Sequence, residues 1–286
     1  MAAMTGLLLL LWAGVAVGSV VDLQKRIIGG AKCLDSERQY HVILISRKGI
    51  MSSLCGGSLV SDQWVLTAAH CWKDEPGWTM KAHVGRSTEA KAEKITDHVI
   101  YKDINGEHDI MLVKLACKTK VPPVGLPDCK AHLKIGSEVQ LAGHASTDVG
   151  PNNARGHVEP LQCAKTDLVD CDVLRQCTEN NYPESWRSQK YQHWLCYKRE
   201  GVDAAPGDSG GGLVFNNRIH GVISFTGDVA DYACGEAFAS MDVCQYEQWI
   251  VKTTHTGFFK GLWSSAKCAC VGTERESRNK ADRIKV

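Results

Sequence analysis

Residues 207–211 read Gly-Asp-Ser-Gly-Gly and place a serine hydroxyl in a glycine-rich turn. Two earlier blocks supply the groups that such a serine needs to become a nucleophile. Residues 67–71, Thr-Ala-Ala-His-Cys, carry a histidine that can act as a base, and residues 108–112, His-Asp-Ile-Met-Leu, carry a carboxylate that can orient it. Each block alone has an ordinary structural explanation. The three together, in this order, favour nucleophilic catalysis by Ser209, with His70 as base and Asp109 as its partner.

Apolar residues between positions 40 and 238 come in short bursts that are typical of β-strands. The runs at 41–45, 110–115 and 138–142 are examples, and Gly, Pro, Asn and Asp separate such bursts. A hairpin is predicted where Asn216-Asn217 joins 213–215 to the next apolar run, because asparagine tolerates the positive φ of a tight turn. The pattern predicts an antiparallel all-β chain.

One helix stands out near the end of the chain. Val243, Tyr246, Trp249 and Ile250 recur at near-helical spacing, and Gly257 is predicted to end the helix.

In these motifs and their order the chain resembles the chymotrypsin and trypsin serine proteases. The resemblance runs from Ile27 to about Val251 and includes an activation sequence at 26–30, Arg-Ile-Ile-Gly-Gly. It implies two packed six-stranded antiparallel β-barrels closed by a C-terminal helix, with the catalytic groups in the cleft between the barrels. It also implies an oxyanion hole formed by the backbone N–H groups of Gly207 and Ser209.

The same resemblance assigns a specificity pocket. Asp203 falls where trypsin-like members carry a carboxylate at the pocket base, which predicts cleavage after Arg or Lys. Ser224 and Thr226 fall on the strand beside substrate. Thr226 stands where the family has a glycine, Ala205 where it has a cysteine, and residues 227–239 align poorly. A restricted, non-tryptic pocket therefore stays open as an alternative.

The N-terminal region predicts secretion in a precursor form. Residues 7–17 are apolar apart from one glycine, which indicates a signal peptide over 1–18. Residues 19–26 would be an activation propeptide. Cleavage after Arg26 would free the amine of Ile27 to pair with Asp208, since a buried carboxylate needs a partner. The predicted location is extracellular or a secretory granule.

The remaining chain divides into a protease domain of two β-barrels over 27–257 and a C-terminal tail over 258–286. The tail ends in a mixed-charge run with few apolar residues, so it is predicted to be partly disordered.

Thirteen cysteines behind a signal peptide predict a disulfide framework made in an oxidising compartment. Sequence alone does not give the pairing. The resemblance implies the bridges Cys33–Cys163, Cys55–Cys71, Cys129–Cys244 and Cys177–Cys196. The five remaining residues are Cys117, Cys171, Cys234, Cys268 and Cys270. Because five is odd, at least one is predicted to be a free thiol or to join another chain.

Charge and composition limit the kinds of partner that the chain is predicted to bind. The formal net charge is +1, and basic and acidic residues are equal in number once 1–26 are removed, so nothing steers the chain to nucleic acid or membrane. Residues 85–109 lack the paired acidic residues of trypsin's calcium loop, so no metal and no cofactor is predicted. The predicted partners are protein or peptide substrates and protein protease inhibitors, bound by a monomer.

A rival hypothesis is a non-catalytic binding protein on the protease scaffold, because a fold does not imply its function. The altered pocket supports it, whereas the presence of all three catalytic residues opposes it. His144 stands where the family has a tryptophan, so it is expected to alter the rim of the substrate cleft. An aromatic stretch has two open interpretations, packing around the Cys177–Cys196 loop, which is favoured, and a partner-binding surface. It is formed by Tyr182, Trp186, Tyr191, Trp194 and Tyr197.

Overall fold

A computed structural model describes residues 27, 30–85, 92–144, 160–202, 204, 207–225 and 237–260. Its strands are β1 (Ala31–Lys32), β2 (His41–Lys48), β3 (Met51–Leu59), β4 (Trp64–Thr67), β5 (Thr79–Val84), β6 (Glu93–Lys102), β7 (Glu107–Leu115), β8 (Glu138–Gly143), β9 (Gln162–Val169), β10 (Trp194–Lys198), β11 (Gly212–Phe215), β12 (Arg218–Phe225) and β13 (Phe238–Asp242). Its helices are α1 (Asp172–Asn181), α2 (Pro183–Gln189) and α3 (Val243–Lys260). None of the helices in these ranges is long and apolar enough to cross a bilayer.

The first barrel closes in the order β2-β3-β4-β7-β6-β5, with antiparallel neighbours. Strand β7 lies between β4 and β6, and its residues Ile110, Met111, Leu112 and Val113 are all fully buried. One face of this strand fills the barrel, and the other packs against residues of the second half of the chain, within one hydrophobic cluster. Burial of both faces holds the start of β7 in a fixed place.

The second barrel closes in the order β8-β9-β10-β13-β12-β11, because β8 pairs with β9 as well as with β11. Strand β1 pairs with the start of β9, at Gln162 and Cys163, where β10 does not reach. The predicted hairpin is confirmed, since β11 pairs with β12 and Asn216 and Asn217 have φ values of 47° and 57°. The expected architecture, two six-stranded antiparallel barrels with a C-terminal helix, is confirmed.

Helix α3 packs against both barrels through one shared hydrophobic cluster. Val243, Tyr246 and Ile250 are at most 1% exposed and belong to the cluster that includes β7. The prediction that Gly257 ends the helix is wrong, because the helix continues to Lys260. A glycine inside a helix costs only about 1 kcal/mol relative to alanine, so it does not stop a helix by itself.

Helices α1 and α2 were not predicted. They lie between β9 and β10, where the aromatic stretch was seen. Packing accounts for much of that stretch, because Tyr197 is 1% exposed and the rings of Trp186 and Trp194 meet edge to face at 6.3 Å.

Three implied disulfides form as expected, namely Cys33–Cys163, Cys55–Cys71 and Cys129–Cys244. The expected Cys177–Cys196 bridge is wrong, because Cys196 is bonded to Cys171. Strand pairing explains the difference. Cys196 lies opposite Val169, so Cys171, just beyond the end of β9, has its Cα 5.2 Å away. Cys177 lies six residues further along, roughly 9 Å up the axis of α1.

Cys117 and Cys177 are disulfide-bonded as well. The remaining cysteines, Cys234, Cys268 and Cys270, lie outside the described residues, as does the tail beyond Lys260. The prediction of an odd thiol stays a prediction.

Stability is expected to depend on pH through His41, which is 3% exposed on β2. Burial lowers the pKa of its imidazole well below the usual value, and His144 and Arg38 lower it further. The folded protein therefore keeps His41 neutral, whereas the unfolded chain takes up a proton below about pH 6.5. Because protons then favour the unfolded state, the free energy of unfolding falls as the pH drops, by up to about 2 kcal/mol between pH 7 and 5 from this residue.

Urea unfolding of the wild type and of His41→Gln at pH 7, 6 and 5 measures this contribution. The loss on acidification should be smaller in His41→Gln and unchanged in a matched variant of an exposed histidine, His132→Gln. Equal pH dependence of wild type and His41→Gln would contradict the assignment.

Candidate active site

His70 and Asp109 meet through two contacts. His70 lies in a single 3₁₀ turn, Ala69–Cys71, directly after β4, and Asp109 lies near the start of β7. The ring nitrogen Nδ1 of His70 is 2.9 Å from Oδ2 of Asp109, and the backbone N–H of His70 donates to Oδ1 at 2.8 Å. The side chain of His70 is 45% exposed and that of Asp109 16% exposed. The carboxylate is thus enclosed, while the ring reaches the surface.

Asp109 is kept ionised by its partners. Burial by itself would raise the pKa of this carboxyl, but the hydrogen bond and charge of His70 and the hydrogen bond from Ser224 hold the pKa below its usual range. The hydroxyl of Ser224 donates to Oδ2. Ser224 was expected only beside substrate, so its contact with Asp109 is a feature that sequence reasoning missed.

The backbone of Asp109 has a partner that no motif indicated. Its N–H donates to the side-chain oxygen Oε1 of Gln192 at 2.9 Å, across 83 residues of sequence. Gln192 lies between α2 and β10 and belongs to no recognisable motif, so only the tertiary structure shows it.

Ser209 is presented by the tight loop that leads into β11. The backbone N–H of Gly56 donates to the Ser209 carbonyl oxygen at 2.7 Å, and the sulfur of Cys71 lies 3.8 Å from the same oxygen. Since Cys71 follows His70 directly, these contacts bring the serine loop of the second barrel to the histidine turn of the first. The structure therefore brings together His70, Asp109 and the serine loop.

Glycine is required in this loop. Gly207 and Gly210 have φ values of 108° and 83°, in the region that favours glycine. A Cβ on Gly210 would lie 2.2 Å from Oγ1 of Thr67 and 2.4 Å from the carbonyl oxygen of Gly56. The close approach of the two barrels at the serine loop therefore depends on a residue without a side chain.

Asp208 and Ile27, the two groups expected to pair after activation, are both in the interior. Asp208 is fully buried, and its carboxylate lies so close to Gly143 that a Cβ there would be 1.7 Å from Oδ1. Ile27 is 2% exposed and belongs to the hydrophobic cluster of the second barrel. Arg26 lies outside the described residues.

The expected pocket is described only in part. Asp203, Ala205 and Thr226 lie outside the described residues, as do positions 227–236. The neighbouring Ala204 is 1% exposed and packs in the second-barrel cluster.

One group of side chains could in principle hold a metal ion. Three potential ligand atoms, from Cys55, His70 and Cys71, lie within 4.8 Å of one another. The two sulfurs form a disulfide, so neither is available as a thiolate ligand.

His144, predicted at the cleft rim, packs its ring against that of His41, with centroids 5.2 Å apart.

The structure places a histidine against an enclosed carboxylate, beside a serine in a glycine-rich loop, where two β-barrels meet. This arrangement is that of a serine protease. The family model described as Trypsin matches residues 27–250, and the chain belongs to this family. It is a serine-type endopeptidase that acts on protein or peptide substrates.

Similar proteins agree with this assignment. Serine protease 1 of Rattus norvegicus is 32% identical over 265 residues, which cover 87% of this chain and 98% of the relative. Serine protease 1 of Canis lupus familiaris is 31% identical, with 84% and 94% covered. Among solved structures, that of GrC has a TM-score of 0.62 at 28% identity, with 80% and 100% covered. Neuropsin, a serine protease expressed in the limbic system of mouse brain, has a TM-score of 0.59 at 25% identity, with 79% and 98% covered.

Proposed function

We propose that the chain is a secreted serine endopeptidase, made as a zymogen, that cleaves after Arg or Lys through an acyl-enzyme formed on Ser209. The observation that carries the catalytic roles is the contact of His70 with an ionised, enclosed Asp109 beside the serine loop. A serine hydroxyl is a weak nucleophile at neutral pH, so it needs a base placed beside it.

The proton path follows from the chemistry of each group. His70 takes the Ser209 proton as the oxygen attacks the scissile carbonyl, and it later delivers that proton to the leaving amine. Asp109 fixes the ring tautomer through Nδ1 and stabilises the imidazolium. Ser224 and the His70 backbone N–H hold the carboxylate in place for this task.

The backbone N–H groups of Gly207 and Ser209 stabilise the negative oxygen of the tetrahedral intermediate. Such donors act through preorganisation, so the loop must be rigid before substrate arrives. Two hydrogen bonds support rigidity. Gly211 N–H donates to the carbonyl oxygen of Asp208 at 2.9 Å, and Gly210 N–H donates to that of Ile223 at 2.6 Å.

Activation uses the buried Asp208. Cleavage after Arg26 would free an ammonium at Ile27 that pairs with this carboxylate and orders the loop beside it. Two observations support the step, namely the complete burial of Asp208 and the burial of the Ile27 side chain in the second barrel.

Asp203 at the pocket base would pair with a cationic substrate side chain, with Ser224 and Thr226 on the neighbouring strand. Ala204, the next residue in the sequence after Asp203, is 1% exposed, and this burial supports the proposal. A buried carboxylate favours Arg or Lys and disfavours neutral side chains, because an unpaired charge is costly to bury.

The rest of the chain organisation belongs to the same proposal. Residues 1–18 would be the signal peptide, 19–26 the propeptide, 27–257 the protease domain and 258–286 a partly disordered tail. The enzyme would act as a monomer outside the cell or in a secretory granule, and protein protease inhibitors would be its other partners. The near-neutral charge gives no reason to expect nucleic acid or membrane partners.

Cleavage-site profiling on a mixed peptide library tests substrate preference. Protein cleaved after Arg26 is expected to cut after Arg and Lys, and Asp203→Ser should lower kcat/KM for these sites by at least about 10³-fold, as expected for loss of a buried charge pair. Asp172→Ser, a change at an exposed aspartate, serves as the control. Cleavage after small or apolar residues would instead indicate a restricted pocket shaped by Thr226.

A further inference from the structure

The three consecutive residues Tyr191, Gln192 and His193, called here the 191–193 segment, lie along the start of β7. The hydroxyl of Tyr191 donates to the carbonyl oxygen of Glu107 at 2.8 Å. The side-chain oxygen of Gln192 accepts from the N–H of Asp109 at 2.9 Å. The segment therefore contacts the residue that supplies the catalytic carboxylate and a residue two positions before it.

His108, between these two, is reached through α3. The backbone N–H of His193 donates to the hydroxyl of Tyr246 at 3.4 Å, and that hydroxyl is 2.8 Å from Nδ1 of His108. The ring of Tyr191 also meets the ring of His108 edge to face, with centroids 5.1 Å apart. Each of the three residues 107–109 is thus contacted by a side chain from the second half of the chain.

This part of β7 needs such support because its strand pairing is irregular. Lys102 of β6 pairs with Glu107, but Ile100 pairs with Met111, so residues 108–110 bulge out of the ladder. On the other side, the pairing with β4 ends at Thr67 opposite Met111. Asp109 lies beyond this regular pairing, and its N–H is taken up by a side chain instead.

The segment itself is fixed at both ends. The N–H of Gln192 donates to the carbonyl oxygen of Gln189 at the end of α2, at 2.9 Å. The N–H of Asp242 in β13 donates to the carbonyl oxygen of His193, also at 2.9 Å. Gln192 is therefore presented by a rigid support, and its uncharged amide accepts the N–H without placing a second negative charge beside the Asp109 carboxylate.

We propose that Gln192 is a positioning residue for catalysis, which fixes the Asp109 backbone and thereby the carboxylate that orients His70. This inference rests on the proposed roles of His70, Asp109 and Ser209. Several titratable or charged groups surround this stretch, whereas Gln192 is an uncharged acceptor. They are His70, Tyr101, Lys102, Asp103, Glu107, His108, Tyr191, His193 and Tyr246.

Gln192→Glu in the activated full chain tests the electrostatic part. The carboxylate has the same length and still accepts the N–H, but its charge favours the protonated ring of His70. The midpoint of the acidic limb of the profile of kcat/KM against pH should therefore shift to higher pH by about 0.5 to 1 unit. The control Gln248→Glu makes the same change on the exposed side of α3 and should leave the limb in place.

Gln192→Met tests the positioning part, because it removes the acceptor at nearly equal length. We expect kcat per active site to fall about 10-fold with KM unchanged, since a small misplacement of a catalytic group costs rate rather than binding. Active sites are counted by covalent labelling of Ser209, so a variant that only loses folded protein shows fewer sites with normal kcat.

A wild-type acidic limb in Gln192→Glu, or a wild-type kcat per labelled site in Gln192→Met, would overturn the inference while the proposed function stands. Wild-type protein that is cut after Arg26 yet neither labels nor cleaves would overturn the proposed function, and this inference with it.

Discussion

Asp109→Asn is expected to lower kcat by about 10⁴-fold while the protein stays folded, as the same change does in another serine protease with this triad. In the structure, Oδ1 accepts from the backbone N–H of His70, so the amide oxygen would occupy that site. The amide nitrogen would then take the place of Oδ2, which lies 2.9 Å from Nδ1 of His70. A donor in that place fixes the tautomer with its hydrogen on Nε2. That ring cannot take the Ser209 proton.

The measurement is kcat on a chromogenic peptide ester, with thermal unfolding to compare folds. Asp97→Asn is the matched control, because Asp97 is an exposed aspartate on β6 in the same barrel, and its rate should stay within about twofold of the wild type. A loss of less than tenfold in Asp109→Asn would contradict the assigned role.

Ser209→Ala is expected to have the largest effect, a loss of kcat of about 10⁶-fold, comparable to removal of the nucleophile in other serine proteases. The change removes one oxygen and leaves the contacts of the loop intact, since these use the backbone of Ser209. Substrate binding should therefore persist. The exposed Ser36→Ala is the control. Undiminished turnover in Ser209→Ala would require a different nucleophile.

Sequence periodicity predicted the strands better than the helices. The bursts at 41–45, 110–115 and 138–142 all lie in strands, because short apolar runs bounded by turn residues are typical of buried strands. Helices α1 and α2 went unpredicted because they are short and polar and bury few residues, so they carry little apolar periodicity.

The candidate site was predictable where short motifs carry it, and not where tertiary contacts do. The blocks around His70, Asp109 and Ser209 are local, so the sequence displays them. Gln192 is separated from Asp109 by 83 positions in the sequence and Ser224 by 115, and no local motif predicts that either residue contacts Asp109. The misassigned partner of Cys196 has the same origin, because the pairing of β9 with β10 sets which cysteine lies near Cys196.

The central claim is that Ser209 is the nucleophile of an enzyme activated by cleavage after Arg26. Its most direct test is mass-spectrometric mapping of a phosphonate probe on the protein before and after that cleavage. One adduct per chain, located on Ser209, is predicted in the cleaved protein, with far slower labelling of the uncut chain. A folded, cleaved protein that forms no adduct, or forms it on another residue, would contradict the claim.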